Sequence, residues 1–370
     1  MTAGKNDRPR VSRDGRNPAV GHETTETAIE ECSVAASEPE TFGELHFGGA
    51  ELGDARRTKR LVRVANAIMR HPGGTLPEKM GGPAELEAMY HLMNCEEVTH
   101  ESVLAPHIAL TRKKIAEHDG FVLAIHDTTE LDFTTRESLS DRGQIGNGSH
   151  QGWLCHNTLI VDPVHREAMG LANQILHCRP VESKKETTAE KRSRLDRESR
   201  LWLQGVQSLP SDQKIVDVCD RGADTFEFLE HEVRSGRTFV VRSSYDRGTY
   251  CSDEKNATKT MLHPVARSLP SLGEWTMKVE ASKTKKTVRK TVNGKRISAT
   301  VVGDRKAREA VVHVSASPVI VAAPRRHRGH HGNKPLPMWV VRVWEPNPPA
   351  GAEALEWILL TNHACTDLEA

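Results

Sequence analysis

The sequence predicts a mixed α/β fold, a sheet flanked by helices, with a small all-helical module before it and a β-rich insertion within it. Three observations carry that prediction. From Leu52 to about Glu117, apolar residues recur at helical spacing. After Gly120 the pattern changes to short β-branched runs that alternate with helical segments, the order that builds a mixed sheet. Beyond Ser243 the helical signal fades, and alternating strands take over to about Pro349.

Residues 1 to about 40 are rich in Thr, Glu, Arg, Gly and Ser without apolar periodicity, and read as a disordered leader. Residues 41–118 form the helical module. Its apolar positions are Leu61, Val64, Ala65 and Ile68, then Leu86, Met89, Tyr90 and Met93, then Val103, Leu104, Ile108 and Ile115, with His71-Pro-Gly-Gly74 and Gly81-Gly-Pro83 as punctuation. That predicts three or four helices. Residues 119–370 hold the sheet. Phe121–His126, Leu154–Val161 and Ala168–Leu176 read as a three-stranded meander, and a helix from about Thr188 to Ser208 follows. Next come a strand ending at Asp220, a helix over Asp224–Ser235 and a strand over Arg237–Arg242, so the first and fourth strands can lie side by side. The β-rich insertion covers 243–349, with strands at Trp275–Val279, Ala310–Ser315 and Met338–Trp344, before Leu355–Thr361 supplies one more apolar strand.

A chain of 370 residues can bury a sizeable core, although 27% charged and 4% aromatic residues leave much of it for solvated loops. The net charge of +1 hides basic runs at Arg56–Arg60, Lys283–Arg296 and Arg325–His331. Seven cysteines without a C-x-x-C pair, several inside apolar runs, suit a reducing cytoplasm. No stretch approaches the length of a membrane span, and the N-terminus is not a signal peptide. A soluble, cytoplasmic protein is expected.

Two aspartates stand out. Asp127 closes the run Phe121–His126, and Asp220 closes the run Lys214–Cys219. A carboxylate at the end of a buried strand is costly unless a cation or hydrogen bonds hold it. In mixed sheets the ligand crevice lies at strand ends where connections diverge. The spacing leaves two readings open: the pair cages a hard divalent metal, or each acid caps a turn. Arg325–His331 has histidines but lacks the ligand spacing of a zinc site, and reads as a mobile basic loop. His126 and His156 read as hydrogen-bonded structural residues, and no Walker-type phosphate loop is present.

Several motifs in order resemble the Tn5-like transposases of the IS4 family, a branch of the DDE, RNase H-like superfamily. They are Glu51-Leu-Gly-Asp-x-Arg-Arg57 with Arg60-Leu61-Val62, Asp127-Thr128-Thr129, Gly152-Trp153 with His156, Asp220-Arg221-x-Ala-Asp224, Phe239–Ser243 and Leu355–Thr361. The resemblance implies an RNase H-like sheet and cut-and-paste DNA transposition. It makes Asp127 and Asp220 the first two acids of a triad that binds Mg²⁺ or Mn²⁺. Arg56, Arg57, Lys59 and Arg60 match the basic stretch that contacts the transposon terminal repeats, where clustered cations release counterions. Arg221 is either a phosphate clamp or the salt-bridge partner of Asp224, and Arg242 has the same two readings. Trp357 aligns with a tryptophan that stacks on a flipped base, against the alternative of core packing. Glu130 is too close to Asp127 to be more than a neighbouring support.

The chain also departs from the family. The family's third acid, a glutamate, lies on a helix some tens of residues beyond Thr361, where nine residues remain here, and Glu369 is out of place. The expectation is therefore a C-terminally truncated transposase that is catalytically impaired, with the homodimer on DNA weakened. The alternative is a non-catalytic DNA-binding remnant or repressor.

Overall fold

The computed structural model describes residues 41–369 apart from 147, 181–185, 211–213, 251–257, 293–294 and 325–329, with backbone only for 188, 192 and 284–304. The expected leader, most of the Arg325–His331 loop, and the side chains of most of the Lys283–Arg296 run lie outside the described residues.

Five helices open the fold: α1 (Phe42–Phe47), α2 (Ala55–Arg70), α3 (Leu76–Met80), α4 (Pro83–Met93) and α5 (His100–Glu117). Each start has a local cause. Asp54 caps α2 by accepting from the Arg56 N–H, and Thr99 forms a capping box with Ser102 at α5. Gly81 ends α3 at φ 72°, a left-handed conformation that glycine adopts without a Cβ penalty. Ala50, Leu52, Leu61 and Leu92 form one small core, and Val64, Met80 and Met89 another.

The sheet begins with β1 (Val122–Asp132), β2 (Gly143–Gln144), β3 (Gln151–Asp162) and β4 (Glu167–His177). Helices α6 (Thr188–Ser193) and α7 (Leu201–Gln207), β5 (Ile215–Cys219), α8 (Phe226–Ser235) and β6 (Thr238–Arg242) follow. The later elements are β7 (Gly248–Tyr250), β8 (Thr260–Met261), α9 (Leu262–Ser268), β9 (Gly273–Val279), β10 (Ser282–Val292), β11 (Lys295–Arg305), β12 (Arg308–Val321), β13 (Leu336–Trp344) and β14 (Glu356–Thr361).

One path of hydrogen-bonded strands runs β2-β3-β1-β5-β6-β14-β13-β12-β7-β8, with β4 on β3 and β9 on β12. The first half, β4-β3-β1-β5-β6, is the expected mixed sheet. β1 pairs antiparallel with β3 and parallel with β5, so the first and fourth long strands are neighbours. The β-rich stretch extends the same sheet through β14, and β10–β11 stand apart as a two-stranded ribbon.

The single helix expected over 188–208 is broken. A stretch between α6 and a 3-10 turn at Glu198–Arg200 interrupts it, and Arg194 there is extended. Arg194 pairs with Asp196 and Glu186, whereas Arg197 and Arg200 reach across to Glu227 on α8. Those charges follow their partners. Only α7 turns an apolar face, Leu201, Trp202, Leu203 and Val206, onto the sheet.

β1 buries Val122, Ala124 and His126, and β5 buries Ile215, Asp217 and Cys219. With their neighbours on β6 and β14 these residues face α5, α7 and α8, where the largest core includes Phe228, Phe239, Leu229 and Leu360. Each fully buried Leu, Ile or Phe contributes about 1.5–3 kcal/mol. The alternate residues Leu123, Ile125, Val216, Val218 and Val240 face the other way and are only half-buried. Among the described residues no helix is long and apolar enough to cross a membrane.

Candidate active site and nucleic-acid interface

In the parallel β1–β5 ladder, Ala124 lies beside Asp217 and His126 beside Cys219. One step further, the strands deliver Asp127 and Asp220. Side chains alternate along a strand, so both acids leave the packed face and start from the half-open one. Neighbouring strands lie about 4.8 Å apart, so Asp127, midway along β1, and Asp220, just after β5, leave adjacent strands on the same face. Both residues are exposed. Asp220 also caps the 3-10 turn Arg221–Ala223, accepting from the Gly222 N–H at 2.9 Å. Both readings of Asp220 are therefore compatible. Neither acid is within ion-pair distance of a cation among the described residues.

The packed face directly beneath holds its own polar network. His126 Nε2 meets Asp217 Oδ1 at 2.9 Å, and its Nδ1 lies 3.1 Å from the Thr158 hydroxyl. Arg237 Nε donates to Asp217 Oδ2 at 2.8 Å. Glu232, fully buried beside this pair, is pushed well above the carboxylate range by burial and then by the Asp217 charge, and is held protonated. His156 stacks near His126, with ring centroids 5.8 Å apart, and its Nδ1 lies 2.8 Å from the Thr128 hydroxyl. Burial, then the His126 charge, lowers His156 to about 3, so its imidazole is neutral. Gly205 of α7 lies over both rings. A Cβ there would sit 2.8 Å from His156 Nε2 and 2.9 Å from His126 Nδ1, so only glycine lets the helix press this close. Both histidines are structural, as expected. Asp217 was hidden in the sequence because it occupies an apolar run, although its alternation with Ile215 and Cys219 marks a buried position.

Around the acids the structure separates the readings of Arg221. Asp224, fully buried, accepts from the backbone N–H groups of Ser244 at 2.6 Å and Tyr245 at 2.9 Å, and binds the Arg247 guanidinium. Arg247 thus takes the place the sequence offered to Arg221. Arg221 is exposed and pairs with no carboxylate among the described residues. Arg242, at the end of β6, is half-buried. Its pKa is lowered, first by burial and then by the Arg221 charge, while Asp220 opposes the shift. Arg221 and Asp220 therefore lie close enough to act on Arg242. Leu359 pairs with Arg242 and Trp357 with Val343, which puts half-buried Trp357 on the same sheet face as Arg242.

Glu130 accepts from the Gly146 N–H at 2.8 Å and braces the loop after β2. Glu369 is exposed, with its N–H on Asp367. Among the described residues no group of three His, Cys, Asp or Glu side chains is gathered to hold a metal.

In the helical module the four basic residues differ. Arg57 pairs with Glu97 at 3.2 Å and Arg60 with Glu85. Arg56 pairs with Asp54 at 2.8 Å yet is 90% exposed. Lys59 is exposed and meets no carboxylate among the described residues. Arg63 and Arg70, which sequence reading passed over, are exposed at the positions one and two heptads after Arg56 and extend one stripe of α2. The signal was present in the spacing of Arg56, Lys59, Arg63 and Arg70.

Residues 39–98 match the family model described as transposase DNA-binding. The match takes in α1 to α4 and the whole basic stripe. The helical module is therefore similar to the DNA-binding part of transposases, which supports a transposase whose partner is DNA.

Proposed function

We propose that this chain is a Tn5-like transposase of the IS4 family, whose helical module holds transposon ends while Asp127 and Asp220 serve phosphoryl transfer on DNA. One observation carries the reading: a module of the transposase DNA-binding type precedes a sheet in which Asp127, midway along β1, and Asp220, directly after β5, leave neighbouring strands on one face. Two exposed carboxylates, unclaimed by any cation among the described residues, are a donor set that fits Mg²⁺ or Mn²⁺, which keep several waters. Such an ion supplies Lewis-acid activation of oxygen when bound. Asp127 and Asp220 would hold it, and Arg221 and Arg242 would steady the phosphate beside it.

A second reading has its own support. The described residues offer two acids at this point where a two-metal site ordinarily draws on more, which favours a protein that occupies DNA ends with impaired or no cleavage. A full cleavage site then needs a carboxylate from outside the described residues or from a partner.

Incubating the protein with Mn²⁺ and a duplex carrying the element's terminal repeat separates the two readings. Cleavage that Asp127→Asn or Asp220→Asn lowers by about a hundredfold supports the enzyme. Gel-shift binding without cleavage supports the repressor, and no binding at all sinks both.

A further inference from the structure

A cleft of about 1190 Å³ opens beside the residue that follows Asp220. It is larger than the range typical of small-molecule sites. Its walls carry six Arg and Lys residues against two carboxylates, Asp196 and Glu198, an excess of four positive charges. Among the described residues, two of the cations meet no carboxylate. Arg221 pairs with no acid among the described residues, and Arg142 donates only to the backbone carbonyls of Leu139, Phe133 and Thr134. Both line the cleft.

The same wall presents an aromatic ring. Tyr245 lines the cleft and is 61% exposed. Its backbone is fixed by the buried Asp224 carboxylate, which also binds Arg247, and the Arg247 guanidinium sits 5.3 Å from the centre of the ring. A large exposed ring on an immobilised backbone is a ready-made stacking platform. Nearby, Trp202 Nε1 and His177 Nε2 are buried without hydrogen-bond partners among the described residues, and both residues belong to the cleft. Buried polar atoms are ordinarily paired.

We infer that this cleft binds a short stretch of unpaired DNA strand, its phosphates on Arg142 and Arg221 and one base stacked on Tyr245. The chemistry follows from the combination. A basic groove accounts for a polyanion, and a rigid exposed aromatic ring within it accounts for bases free of their own duplex. Two-stranded DNA would keep its bases inside the helix and leave Tyr245 unused. The inference rests on the proposed action on DNA and adds that the strand beside Asp220 is unpaired.

The test uses the full chain in EDTA, so that it does not depend on metal or on Asp127. Fluorescence anisotropy follows labelled oligothymidylate and, separately, a blunt duplex with the terminal repeat. Tyr245→Ala is expected to weaken oligothymidylate binding by roughly tenfold or more, Tyr245→Phe to restore it, and the duplex affinity to stay unchanged. Arg142→Ala lowers the salt dependence of single-strand binding by about 0.7 in log–log slope. The inference fails if the wild-type chain does not bind oligothymidylate, if Tyr245→Ala binds it normally, or if both substrates weaken equally. Loss of metal-dependent cleavage with intact single-strand binding would instead count against the catalytic reading alone.

Discussion

The two faces of the β1–β5 pair use the same strands to opposite ends. On the packed face, Asp217 and His126 are fully enclosed and Glu232 is kept neutral beside them, so charge there is consumed by the fold. On the half-open face, Asp127 stands one residue beyond His126 and Asp220 three beyond Asp217, with no ion-pair partner among the described residues. An odd step along a strand, three residues from Asp217 to Asp220, moves a carboxylate from architecture to availability. Acidity alone is thus a poor guide to function. What matters is whether the surrounding cations have already been taken up.

The contrast breaks most visibly at Asp217. Asp217→Ala leaves Arg237 and His126 facing a buried vacancy, and should cost about 3–5 kcal/mol in urea unfolding. Asp127→Asn should stay within about 0.5 kcal/mol of wild type in the same experiment. If the two variants unfold alike, the division of labour between the faces is wrong.

Acid titration sharpens the same point. His156 has a folded-state pKa of about 3, below its unfolded value of about 6.5. The folded state therefore binds fewer protons between those values. The stabilising contribution is complete above about 6.5 and is lost as pH falls toward 3, with a slope of up to about 1.4 kcal/mol per pH unit. Unfolding midpoints measured from pH 7 to pH 4 should fall more steeply for the wild type than for His156→Asn.

Gly205→Ala is a smaller perturbation at the same place. The added methyl meets the rings of both histidines, and overpacking of this kind costs about 1–3 kcal/mol. Because His126 precedes Asp127, this variant should also lower any metal-dependent cleavage, whereas Gly236→Ala at the end of α8 should leave cleavage as it is. Loss of stability without loss of cleavage would detach the packed face from the acids.

The weakest expected effect is Arg60→Ala. Its surface pair with Glu85 is worth under about 1 kcal/mol to stability. Should Arg60 turn to DNA on binding, the salt dependence of duplex affinity falls by about one unit of slope. An unchanged slope would show that Lys59, Arg63 and Arg56 carry the contact without it.

Much of the sheet could be read before any coordinates. The β-branched runs at Phe121–His126 and Lys214–Cys219 announced strands, and their neighbourhood followed from the order of the elements. The break near Arg194 could not be read, because the charges that unwind it find partners on α8 and before α6, and propensity carries no record of those. The fate of Asp224 was equally hidden. Arg221 is three residues away in sequence and Arg247 is 23, yet the path of the loop after β6 decides for Arg247. Local pattern specifies elements, and partner choice among charges waits for the tertiary path.

Helix α5 has a consequence for where DNA would be addressed. It leaves the basic module and lies directly along β4: His107 Nε2 accepts the Leu171 N–H at 2.9 Å, His100 bonds Gln174, and Ile115 enters the core beneath β1. No slack tether joins the two parts. On the proposed function the helix acts as a ruler, and the interval between the bases gripped by α2 and the phosphate facing Asp127 becomes a fixed property of the packed protein, insensitive to salt or temperature until the fold itself gives way.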